Sequence, residues 1–307
     1  MDSNVTNQLL VLFVLMAVGF VAVKLKLLDK AGADKISSLI SRVTMPSMYI
    51  ATFMTQQVTA EGLKNAGILL GFSAVYYLLA VGISFLFVKL VPTDPKGRGI
   101  YQFLIVFSNA AYMGFPVLRA VLGEEAIFYG AFFNIPFNIL AYSMGIWFLR
   151  RSQPGKTLSK KEMLFNPGTT GIMIGVLLFL LSPLVEGTVI HKIFYQGPVL
   201  EGLKQIGSTT ISLSMVVIGT VLATAKVGEV FKNLRAFLVS ATRLLVVPAL
   251  MLLVVLPFRG LVNPLILSIP ILIAGMPCAV FSVILAKEYD GDEKLASVGV
   301  FLSTLFS

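Results

Sequence analysis

From residue 5 to residue 307 the chain is a succession of apolar runs, most of them about twenty residues long, separated by short polar segments. A helix of ~20 residues rises ~30 Å, the thickness of a bilayer's hydrocarbon core, so runs of this length point to lipid as the solvent. Strands of a membrane barrel need alternating apolar and polar residues, and these runs lack that alternation. Composition agrees. Hydrophobic residues make up 57% of the chain and charged residues 13%, against roughly 45–50% and 25% in a soluble domain, which is more apolar surface than one core hides. The fold class expected is an all-α polytopic membrane protein.

Ten runs are counted, at 5–23, 36–54, 66–90, 100–122, 126–149, 164–185, 203–224, 236–257, 261–285 and 295–307. No basic residue precedes the first and no small-residue cleavage pattern follows it, so it reads as a retained span rather than a removed leader. The last run would be only ~20 Å long as a helix, which is short for a span. Either the chain is trimmed there or the final helix stops inside the membrane.

Of the 24 lysines and arginines, seventeen fall in the loops and adjoining run ends after runs one, three, five, seven and nine, five fall in or beside the opposite loops, and two, Arg42 and Arg243, lie well inside runs. Basic residues concentrate on the cytoplasmic side, so this asymmetry sets the odd-numbered loops in the cytoplasm and both termini outside the cell membrane. The net charge of +9 then reports orientation towards membrane lipid, and a nucleic-acid partner is not implied. The most basic loop, 150–163, divides the chain into repeat one, 1–150, and repeat two, 164–307. Five spans per half make the second half enter from the opposite face, which is an inverted 5+5 repeat.

Two runs carry breakers at their centres: Ser108-Asn109-Ala110-Ala111-Tyr112-Met113-Gly114-Phe115-Pro116 in run four and Ala274-Gly275-Met276-Pro277-Cys278-Ala279 in run nine. Proline removes a backbone donor and clashes with the carbonyl four residues back, and glycine weakens the helix further, so each span is expected to break midway. Broken spans in matching positions of two halves point to the binding site of a transporter. Half-helix N-termini favour an anion there, and C-termini favour a cation or a donor. Runs two and seven also carry interruptions, at Thr44-Met45-Pro46 and at Ser208-Thr209-Thr210-Ile211-Ser212.

The substrate-binding set expected from these breaks is Asn109, Gly114, Pro116, Met276, Pro277 and Cys278. The Asn109 amide both donates and accepts, which suits a carboxylate together with a proton or water. Asn134 and Asn138, four residues apart on run five, share a face and either line the path or pack against run four. Arg42 and Arg243 are the charges inside runs; each either attracts an anion or snorkels to the headgroups. All fifteen acidic residues lie in loops or at span ends, so an acidic proton relay at the midplane is not supported. The single histidine, His191, and the single cysteine supply no catalytic triad, metal cluster or disulfide framework. No phosphate-binding Gly-x-x-x-x-Gly-Lys loop is present. Neither an enzyme nor a cofactor is implied. Gly67-x-x-x-Gly71 and Gly171-x-x-x-Gly175 permit close helix approach, within one subunit or between two.

The stretch from Asn109 through Gly114 to Pro116 resembles the Asn-x-x-x-x-Gly-x-Pro motif in the fourth helix of the auxin efflux carrier family, which includes plant auxin exporters and bacterial dicarboxylate carriers. Pro277 followed by Ala286-Lys287-Glu288-Tyr289 resembles the ninth-helix region of the same family. The resemblance implies ten helices with crossover breaks in spans four and nine. It implies a scaffold of spans one, two, six and seven, and a mobile domain of spans three, four, five, eight, nine and ten. It also implies a homodimer that moves small organic anions by an elevator-like motion, with Asn109, Pro116 and Pro277 at the substrate site. A sensor that keeps this fold and binds an organic anion without net flux is the alternative.

Overall fold

The computed structural model describes residues 3–150, 167–224, 233–289 and 291–307, and among these every element is helical. Residues 151–163 of the basic central loop, and Lys226 and Lys232, lie outside the described residues. The helices are α1 (Ser3–Lys24), α2 (Lys30–Leu39), α3 (Met45–Met54), α4 (Ala60–Leu90), α5 (Pro95–Val106), α6 (Phe115–Leu122), α7 (Glu125–Phe133), α8 (Ile135–Leu140), α9 (Ile146–Arg150), α10 (Pro167–Val185), α11 (Val189–Phe194), α12 (Pro198–Thr224), α13 (Leu234–Ala241), α14 (Val247–Val255), α15 (Pro264–Gly275), α16 (Phe281–Glu288) and α17 (Glu293–Phe306). Starts are set by side-chain caps where the sequence offers them: Asp29, Thr59, Asn263 and Asp292 each accept a hydrogen bond from a backbone N–H of the first turn, satisfying a donor the helix cannot. Six helical stretches among the described residues are long and apolar enough to cross a membrane. The chain is an integral membrane protein. Val11, Phe13 and Val14 of α1 and Leu177 and Leu184 of α10 are exposed, as a surface solvated by lipid tails requires.

Single π-helical turns at Ile40–Thr44, Ala110–Gly114 and Thr242–Val246 join α2 to α3, lead into α6, and join α13 to α14. Each is followed by a proline, Pro46, Pro116 or Pro248, in the first turn of the next helix. Such a proline cannot donate to the carbonyl four residues back, and a wider turn absorbs both the missing bond and the ring clash. Run two therefore stays helical past its proline without breaking. Run seven carries no interruption at all: α12 passes straight through 208–212. The hydroxyls of Ser208 and Thr209 fold back onto the carbonyls of Gln205 and Ile206, and that of Thr210 donates across to Thr44 Oγ1 at 2.9 Å. Inside a helix such groups are satisfied by the preceding turn, so they do not end it.

Helices α1, α3, α10 and α12 pack on one another, and glycines set how closely. A Cβ on Gly19 or Gly219 would strike the main chain of Val216 or Met16, where α1 crosses α12. On α10, a Cβ on Gly171 would stand 2.7 Å from Pro46 Cα, and one on Gly175 would stand 2.7 Å from the Phe53 ring. Without a hydrophobic drive between helices in lipid, backbone contact of this kind is what holds them. Gly67 and Gly71 behave differently, since a Cβ at either meets nothing within 4 Å. Their small-residue face is not used to pack another described helix of this chain. Helices α4, α5, α7 and α13 to α17 pack on the other side, and Phe53, Phe128 and Phe132 interlock edge to face at 5.1–5.2 Å across the seam.

Candidate functional site

Run four stops being helical at Phe107, earlier than Pro116. Phe107 is extended (φ −101°, ψ 110°) and Asn109 has φ −76°, ψ 50°. Ser108 and Asn109 carry short polar side chains that favour local hydrogen bonding over the helix ladder. The chain then re-enters a helix through the π turn, where Asn109 O accepts from Met113 N at 3.1 Å and Gly114 N at 2.9 Å. The sequence places the break within 108–116; the structure places it at Phe107–Asn109, at the start of that stretch, because the π turn accommodates Pro116 inside a continuing helix. Run nine breaks where expected. Proline restricts the residue before it to extended backbone, and Met276, at φ −69° and ψ 150°, ends α15 directly ahead of Pro277.

The two breaks meet. Ser108 and Cys278 form an isolated antiparallel bridge, with Asn109 N donating to Pro277 O at 2.8 Å and Ala279 N donating to Phe107 O at 3.0 Å. Cys278 N donates to Ser303 Oγ at 3.0 Å. Each break thus supplies partners for backbone groups that the other leaves exposed, which a bilayer interior demands. Gly114 lies against Met276: a Cβ there would be 3.5 Å from Met276 Cγ. Asn109, Gly114, Met276, Pro277 and Cys278 are therefore brought together, and Pro116 is buried in the first turn of α6.

Asn109 is buried, and its Nδ2 has no partner among the described residues. It lines a cavity of about 40 Å³ together with Ser108, Tyr112, Asn138, Phe281 and, from the π turn after α2, Ser41. That is room for a water or two. Small-molecule sites run to roughly 300–1,000 Å³, so this space is too small to hold one. A second cavity, of 340 Å³, is lined by Thr52, Arg119, Glu124, Lys204 and Ser208 among others. Arg119 and Glu124 form an ion pair at its rim.

The two asparagines of run five are used differently from each other. Asn134 Nδ2 donates to the Tyr49 hydroxyl on α3 at 3.1 Å, with both residues buried. Asn138 Nδ2 donates to Asn134 O at 3.1 Å while the residue also lines the small cavity. Arg42 is exposed on its π turn, whereas Arg243 is fully buried. Other buried side-chain polar groups without a partner among the described residues include those of Gln102 and Ser282, which the sequence reading does not single out. Each is an uncompensated polar residue inside an apolar run, which is itself the signal that finds them.

A polytopic helical membrane protein with two broken helices paired at their breaks has the architecture of a membrane transporter. The family model described as membrane transport protein matches residues 4–307, and the chain belongs to that family, the auxin efflux carriers. It is 24% identical over 311 aligned positions to an uncharacterized transporter of Methanothermobacter thermautotrophicus, with 98% of this chain and 94% of the relative covered. An uncharacterized transporter of Methanocaldococcus jannaschii is also 24% identical, over 310 positions with the same coverage. Both relatives are named as transporters rather than enzymes.

Proposed function

We propose that the chain is a secondary transporter or facilitator of a small organic anion, a carboxylate of the auxin-like or dicarboxylate kind, working by alternating access at the crossover. The observation that carries this reading is the reciprocal pairing of Ser108 with Cys278 around a buried Asn109 amide whose nitrogen has no partner. An amide left unsatisfied in a membrane interior is costly unless something else engages it. Half-helix N-termini beside it favour negative charge. Asn109, Gly114, Pro116, Met276, Pro277 and Cys278 form the site in this reading, with Asn138 on the approach and Asn134 at the seam.

The ten runs act as ten spans in two inverted halves, 1–150 and 164–307, in the cell membrane, with the N-terminus outside and the basic loop in the cytoplasm. Spans one, two, six and seven form the scaffold, a division supported by the close packing of α1, α3, α10 and α12. The remaining spans move as a body. The polar ties between the two groups include Asn134 to Tyr49, Tyr112 to Ser37 O and Lys30 to Glu293, and the rest of the seam is largely apolar, which suits sliding. The 340 Å³ cavity serves as the outer vestibule, where Arg119 and Lys204 attract anions. Two scaffolds pair in a homodimer.

Uptake of a panel of radiolabelled carboxylates into proteoliposomes, with and without proton and sodium gradients, tests this reading. Saturable uptake of at least one carboxylate is expected. Saturable binding with no flux would assign the chain to the sensor class instead.

A further inference from the structure

Arg243 is the one charged side chain among the described residues that is buried, with 0% exposure. Its Nη2 donates to Ile273 O, in the last turn of α15, at 3.3 Å. Its guanidinium carbon lies 5.7 Å from the centroid of the Tyr76 ring. Nε and Nη1 have no partner. No ion pair joins Arg243 to a carboxylate among the described residues, whereas Lys30 pairs with Glu293 and Arg119 with Glu124. An unpaired cation buried in a membrane is costly. Something else must hold it.

The surroundings supply the counterpart. Arg243 sits in the π turn Thr242–Val246, which packs against both α5 and α15. Those are the two half-helices whose C-terminal ends, Val106 and Gly275, stop at the crossover. Each helix C-terminus carries the equivalent of about half a negative charge, and two together come to about one, opposite in sign to a guanidinium. Low dielectric keeps these partial charges unscreened. The aromatic face of Tyr76 adds a second attraction, and Cys278 and Tyr77 lie within electrostatic reach of the same guanidinium.

We propose that Arg243 is the fixed cation of the crossover: its guanidinium neutralises the C-terminal ends of α5 and α15 and holds the two breaks in register. Their negative ends no longer oppose an anion, so the N-terminal side of the crossover is left to take it. This makes Arg243 a positioning residue whose charge, rather than its bulk, is the requirement. The consequence for substrate rests on the transporter reading above; the electrostatic role does not.

Arg243→Ala tests it, with guanidinium ion and urea added separately at equal millimolar concentration. The two molecules have nearly the same shape and differ in charge. Guanidinium is expected to raise the melting temperature of Arg243→Ala in detergent and to restore uptake from a loss of tenfold or more, while urea does neither. Equal rescue by urea, or full stability and uptake without any addition, overturns the proposal. If wild-type chain shows no carboxylate uptake, the transport reading fails, and the melting comparison still decides the role of the charge. Should Arg243→Ala not be recovered folded, Arg243→Lys and Arg243→Gln replace it: a lysine variant that folds and a glutamine variant that does not support a charge requirement, and equal behaviour of the two refutes it.

Discussion

Replacing Asn109 by alanine separates the binding role of this residue from its place in the fold. Its backbone is held on both sides, by Asn109 N to Pro277 O at 2.8 Å and by Asn109 O receiving Met113 N and Gly114 N. None of these bonds uses the side chain. The backbone at φ −76° and ψ 50° lies near an inverse γ-turn, which alanine adopts freely. Truncation also removes a buried donor that has no partner, so the melting temperature should move by no more than about 1 kcal/mol in either direction implies. Binding should respond far more. A hydrogen bond to a charged carboxylate is worth ~1.5–3 kcal/mol, which at ~1.4 kcal/mol per decade raises the half-saturation concentration about ten- to 150-fold. Concentration-dependent uptake in proteoliposomes, beside thermal unfolding in detergent, reads both quantities. A folded Asn109→Ala chain with unchanged half-saturation would refute the assignment.

Two packing predictions follow from the same geometry. Gly171→Leu forces side-chain atoms into the backbone of Pro46, which a Cβ alone would approach to 2.7 Å, and overpacking of this kind costs ~1–3 kcal/mol. Its melting temperature should fall, whereas Gly67→Leu, where a Cβ meets nothing within 4 Å, should be near neutral; equal losses would contradict the packing described. Tyr49→Phe removes the hydroxyl that accepts from Asn134 across the seam, a bond worth ~0.6 kcal/mol in membrane proteins. A small loss of stability with uptake turnover undiminished is expected, and a collapse of turnover would argue against a sliding seam.

The apolar runs located several helices closely because lipid imposes a length that sequence shows directly, although the helices of runs two and three already begin at Lys30 and Ala60, ahead of 36 and 66. Run five is helical over Glu125–Arg150 against 126–149 expected, and run eight over Leu234–Phe258 against 236–257. Local chemistry was harder to place. Pro277 marks its own break because it fixes Met276 ahead of it, but Pro116 marks a π turn and the true break lies at Phe107–Asn109. Hydroxyl clusters such as 208–212 look like interruptions, yet they are satisfied within α12. The pairing of Ser108 with Cys278 joins residues 170 positions apart, so no local pattern carries it. Arg42 and Arg243 look alike in sequence, and only packing makes one exposed and the other wholly buried.

Cys278 is the only cysteine in the chain and lies buried at the paired breaks, bridged to Ser108. It is therefore a native reporter of the site. The most direct test of an organic-anion site at the paired breaks is the rate at which N-ethylmaleimide labels Cys278 in the working transporter, measured with and without a transported carboxylate. Labelling should stop uptake, and the carboxylate should slow labelling with the same half-saturation it shows in uptake. A labelling rate indifferent to a carboxylate that is being transported would contradict the account.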